Sequence, residues 1–127
     1  MTRFLSICLG GAVGTGARYL LSLWMLRVAG GGFPWGTLTI NLLGSFLLSL
    51  ILAFSLGSDL LSPTLRMALT TGVLGGFTTY STFNHETLQY FQLESWGLGF
   101  AYLGLTVLGC LAAGGLGFLL GRSLGGG

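Results

Sequence analysis

Charge is nearly missing from this chain. Of 127 residues only 6% are Asp, Glu, Lys or Arg, against roughly 25% in soluble domains. Lysine is absent: the five basic residues are all arginines, set against three acids. With a mean hydropathy of +0.84, this excludes a water-soluble globular domain and marks an integral membrane protein. A scattered net charge of +2 gives no footprint for nucleic acid. Cysteine is scarce too. Cys8 and Cys110 each fall in an apolar run, with no His or second Cys at ligand spacing. That excludes a disulfide framework and a thiolate metal site, and both read as small packing residues. No nucleophile stands with a base in any recognisable constellation, so no catalytic residue is assigned and the chain is not read as an enzyme.

What is present is apolar sequence in four runs. A span needs about 20 such residues, and runs at 4–26, 35–56, 63–91 and 96–120 fit, with little left over. The first is long and is followed by others, so it reads as a membrane helix rather than a cleavable leader. The fold class expected is an all-α integral membrane protein, one domain over 1–127 with four transmembrane helices. Gly30–Gly32 with Pro34, Gly57 to Pro63, and Gln92 to Ser95 punctuate the turns. Arg3, Arg66 and Arg122 fall on one side of the membrane and Arg27 on the other, a bias small enough to allow insertion both ways. Trp24, Trp35 and Trp96 fall together at the opposite interface, as an aromatic belt would.

The stretch 70–83, TTGVLGGFTTYSTF, is wrong for an uninterrupted span. Gly75 and Gly76 hold helical dihedrals weakly, and Thr78, Thr79, Ser81 and Thr82 crowd hydroxyls into hydrocarbon. A freed backbone group there must meet protein, water or an ion. The third helix is therefore expected to break near residues 75–79.

The other spans carry polar stripes. Thr37, Asn41, Ser45 and Ser49 recur every four residues on one face of span two. Hydroxyls can bond back to their own helix. The Asn41 amide offers two donors that a helix cannot absorb, so Asn41 either joins two helices or faces a permeant. Tyr102, Thr106 and Cys110 form a weaker track on span four, beside small residues Gly109, Ala113, Gly117 and Gly121 suited to close packing. Gly10, Gly14 and Arg18 share a face of span one; Arg18 either snorkels or meets protein or water. Tyr80 and Phe83, at i and i+3, either pack or turn electropositive ring edges inward. Glu86 follows one turn later, where it pairs with an arginine or lines a vestibule.

These residues describe selective permeation. Donors and ring edges suit a small anion, and carbonyls at the break suit a small hard cation. Four short helices enclose little volume, so a pathway calls for a second copy. A small multidrug exporter would need a buried acid in span one, where there is only Arg18. A purely structural membrane protein explains the small-residue stripes but leaves the hydroxyl-rich break unexplained.

Three motifs carry a family resemblance: GGAVGTGARY at 10–19, GTLTINLLGSF at 36–46 and GVLGGFTTYSTF at 72–83. The chain resembles the Fluc (CrcB) family of fluoride channels over essentially its whole length. The resemblance implies an antiparallel, dual-topology homodimer, with a heterodimer with a paralogue as the alternative. It implies two pores that export cytoplasmic fluoride passively across the prokaryotic inner or plasma membrane. Asn41, Tyr80 and Phe83 would be pore residues, with Thr37, Ser45, Tyr102, Thr106 and Cys110 along the track. Arg18 and Glu86 would lie near the vestibules. Backbone carbonyls of Gly75 and Thr78 would hold a structural sodium ion at the dimer centre. Two positions depart from the family's usual pattern: Tyr80 stands where Phe is usual, and Cys110 where a hydroxyl is common.

Overall fold

The structure, a computed structural model, describes residues 1–126, and the described residues form helices and turns only. The elements are α1 (Thr2–Ala29), α2 (Trp35–Gly57), α3 (Pro63–Met67), a π-helical stretch (Ala68–Leu74), α4 (Gly75–Phe77), α5 (Tyr80–Gln92) and α6 (Trp96–Leu124). Helices α1, α2 and α6 are each long and apolar enough to cross a membrane. At about 1.5 Å per residue, the 23 residues of α2 rise roughly 34 Å, slightly more than a hydrocarbon core. The third span is the composite from Pro63 to Gln92. Each expected span is therefore found, with ends extended by a few residues.

Local chemistry places the boundaries. Gly30 ends α1 at φ 76°, in the left-handed region where a side chain would be strained. Ser62 caps α3 by accepting from the Leu65 N–H, and Pro63 sits in its first turn. The tryptophans gather at one end of the bundle: Trp35 and Trp96 begin α2 and α6, and Trp24 lies near the end of α1.

In lipid, apolar side chains gain nothing by leaving one apolar medium for another, so helices associate by close backbone approach. Two seams do this. Helix α1 lies on the composite third span, and α2 lies on α6. A Cβ on Gly10 would stand 2.6 Å from the Ala68 carbonyl oxygen, and one on Gly14 would overlap the Val73 carbonyl. At the second seam a Cβ on Gly117 would overlap the Phe46 carbonyl and one on Gly121 the Leu50 carbonyl. The expected small-residue stripes of spans one and four are these two seams.

The break falls within the expected stretch 75–79, at its far end, and the glycines play another part in it. Gly75 and Gly76 are helical, and the chain leaves the helix at Thr78 (φ −78°, ψ 157°) and Thr79 (φ −151°, ψ 105°). The reason is steric rather than conformational. A Cβ on Gly76 would lie 2.5 Å from the Gly11 carbonyl oxygen, so this glycine admits α1 and does not end the helix. The seven-residue π-helical stretch before it was not foreseen; it is where Gly72 meets Gly10.

Candidate functional site

The break is held by one side chain. The Asn41 Nδ2 donates to the Thr79 carbonyl at 3.0 Å, and the Thr79 N–H donates to Asn41 Oδ1 at 2.9 Å. Both residues are buried. The amide thus replaces, for one residue, the helical bonds that Thr79 has lost. Leaving that peptide bare in hydrocarbon would cost several kcal/mol. The pairing also fixes which amide atom is oxygen, because only oxygen can accept from the N–H. One Asn41 N–H remains beyond this clamp. Of the two readings of Asn41, the joining of helices is observed, and the spare donor keeps the other.

Thr79 then starts α5. Its hydroxyl accepts from the Thr82 N–H at 3.3 Å and donates to the Thr82 hydroxyl at 2.8 Å. Such a cap is worth about 1 kcal/mol. The TxxT spacing from Thr79 to Thr82 was the sequence signal for it.

These diversions free two carbonyls. In a continuous helix Gly75 would accept from the Thr79 N–H and Thr78 from the Thr82 N–H. The first donor is given to Asn41 and the second to the Thr79 hydroxyl. The intervening Gly76 carbonyl accepts from the Thr15 hydroxyl at 3.4 Å. Gly75 and Thr78 therefore offer oxygens without their helical donors, and Gly75 lies at the exposed surface of the chain. Neutral carbonyl oxygens are ligands for a hard cation, so these residues fit the sodium ion expected there.

Beside the break runs an open groove of about 750 Å³ between α2, α5 and α6. Asn41, Ser45 and Ser49 line one side, and Thr106 and Cys110 the other. The Thr106 hydroxyl is buried and makes no hydrogen bond among the described residues. An unpaired buried hydroxyl costs about 1–3 kcal/mol. Tyr80 and Phe83 also border the groove, edge to face, with ring centroids 5.7 Å apart at 72°. Phe83 is only 4% exposed and Tyr80 is 77% exposed.

A second cavity, of about 550 Å³, opens towards the tryptophan end and includes Thr37, Thr82, Glu86 and Tyr90 in its lining. Glu86 is held from two helices: Thr37 donates to Oε1 at 2.9 Å and Tyr102 to Oε2 at 2.6 Å. Leu38, Phe83 and Tyr102 form a buried cluster, the last wholly buried; Phe83 borders the groove and Tyr102 bonds Glu86 of the second cavity. Its rings meet edge to face, with Phe83 and Tyr102 centroids 5.2 Å apart at 73°.

Of the residues singled out, the structure thus gathers Asn41, Ser45, Tyr80, Phe83, Thr106 and Cys110 around one groove. Thr37 and Glu86 face the other cavity, and Tyr102 lines neither but bonds Glu86. Arg18 is half-buried on α1 and lines neither cavity. Glu86 bonds to hydroxyls rather than to an arginine. Thr79 is absent from the predicted site residues because its pairing with Asn41 is made by its backbone.

Comparisons with known proteins identify the family of the chain. The family model described as CrcB-like protein, Camphor Resistance (CrcB), matches residues 5–118. A protein of Sorangium cellulosum named fluoride-specific ion channel FluC is 51% identical over 124 residues, covering 98% of each chain. One of the same name from Anaeromyxobacter dehalogenans is 56% identical over 113 residues, covering 89% of this chain and 90% of its own. A third, from Geobacter metallireducens, is 44% identical over 124 residues, covering 98% of this chain and all of its own. These relatives are named as ion channels, in keeping with the reading of a non-enzymatic, multi-pass membrane protein. By the match over nearly its whole length, the chain belongs to the CrcB family.

Proposed function

We propose that this chain is a subunit of a fluoride-selective channel, through which cytoplasmic fluoride leaves passively. The observation that carries the reading is the groove's donor set. Asn41, with one N–H beyond its clamp, and Thr106 line one groove with the Tyr80–Phe83 ring pair; the Thr106 hydroxyl is enclosed behind that lining and reaches the groove by a turn of its side chain. All are neutral. Fluoride is small and strongly hydrated, so a pore must replace its water with donors and yet release it. Fixed cations would hold the ion too long, and the groove's polar lining has none.

The groove is open along its length, and Tyr80 is largely exposed in a single chain. A second copy would close it. The assembly proposed is the antiparallel homodimer with two pores, in the inner membrane. The Gly75 and Thr78 carbonyls of both subunits would hold one sodium ion at its centre, where the ion would tie the two breaks together. The names of the relatives and the match of the motifs support the fluoride reading; the freed carbonyls support the sodium. In this account Asn41 and the hydroxyls strip water from fluoride, the ring edges shield it, and Glu86 marks the mouth.

Asn41→Asp tests it. The change puts a like charge beside the path, so fluoride efflux from liposomes holding that variant should fall to the leak of empty vesicles. Efflux equal to that of the unaltered protein would remove Asn41 from the pore.

A further inference from the structure

We propose that Asn41 is also the positioning residue for the cation at the break. This rests on the sodium reading above and adds a role that the pore assignment does not contain. The Thr79 N–H has two competing acceptors. One is the Gly75 carbonyl, four residues back, which a continuous helix would supply. The other is Asn41 Oδ1, which has it, at 2.9 Å. Thr78 keeps a helical φ of −78° and departs only in ψ, at 157°. Turning that ψ and resetting Thr79 would extend the helix from α4 and return the N–H to Gly75. Asn41 holds the opposite outcome from both sides of the peptide, since it also donates to the Thr79 carbonyl.

A carbonyl that accepts an N–H has a lone pair engaged and its oxygen aimed along the helix. A carbonyl without that donor can turn to a cation. Asn41, buried on α2, thus sets whether the Gly75 oxygen is available, without touching the ion. The same amide therefore serves two ions: a spare N–H for the permeant anion and a backbone clamp for the cation. The Thr78 oxygen is released by the Thr79 cap on Thr82, which also requires Thr79 to stay extended, so both oxygens follow the clamp.

The test is calorimetric titration of sodium chloride into the full-length protein in detergent, with choline chloride as the ionic-strength control. Asn41→Leu removes both halves of the clamp, and sodium should bind about tenfold more weakly. Asn41→Asp keeps an oxygen to accept the Thr79 N–H and adds a negative charge that attracts a cation, so sodium affinity should not fall although fluoride flux is lost. Thr106→Val alters the same groove but not the break, and should leave sodium affinity unchanged. If Asn41→Leu does not fold, Asn41→Ala carries the same prediction. Sodium binding to the Leu or Ala variant as tight as to the unaltered protein overturns the inference and spares the sodium site. Equal tenfold losses in the Asp and Thr106→Val variants also overturn it, because the effect would then be general disturbance. No sodium binding to the unaltered protein overturns the sodium reading itself.

Discussion

The Tyr102 hydroxyl donates to a Glu86 carboxylate oxygen 2.6 Å away, tying α6 to α5 where Thr37 of α2 donates to the other oxygen. Three helices thus share one carboxylate, in the lining of the second cavity. Tyr102→Phe keeps the ring, which packs edge to face on Phe33 and Phe83, and removes only this bond. A hydrogen bond to a charged group contributes about 1.5–3 kcal/mol, towards the low end here because Glu86 is half-exposed. The expected outcome is a lower melting temperature in detergent. An unchanged melting temperature would mean that the carboxylate is equally well served by water.

Thr106 separates stability from permeation. Its buried hydroxyl has no protein partner, so Thr106→Val removes no hydrogen bond within the chain. Stability should hold or rise slightly, because an unpaired buried hydroxyl is itself unfavourable. Fluoride efflux should fall about tenfold, the worth of one donor to an anion. Equal flux from the Val variant would show that the hydroxyl does not meet the ion.

The seam between α1 and the third span rests on contact at Gly14. A methyl there would overlap the Val73 carbonyl, a backbone atom that cannot swing aside. Gly14→Ala should destabilise the protein by about 1–3 kcal/mol, as overpacking does. Gly16→Ala, on the same helix with open space around it, should be neutral or slightly stabilising through helix propensity. Thermal unfolding of the two variants side by side checks the difference.

The spans, the polar stripes and the small-residue seams were legible in the sequence because each follows from composition and a helical period. Gly10, Gly14, Gly117 and Gly121 announce close packing in a medium where nothing else draws helices together. The break was legible as well, within the expected stretch 75–79, but the cause assigned to it was not the one found. Gly75 and Gly76 look like helix breakers, yet both are helical; Gly76 admits α1 and Gly75 is exposed. What ends the helix is Asn41, more than thirty positions away, pairing with the backbone of Thr79. No local pattern encodes that, because the recognised atoms belong to a peptide bond that every residue has. The bond from Tyr102 to Glu86 was hidden for a similar reason: each residue looked like part of a separate track until the packing of α5 on α6 brought them together.

The central claim is that the groove passes fluoride and little else. The most direct measurement is the release of fluoride and of chloride from liposomes holding the purified protein, followed with ion-selective electrodes. The account predicts rapid fluoride release with chloride retained. Release of both ions at similar rates, or of neither from folded protein, would contradict it.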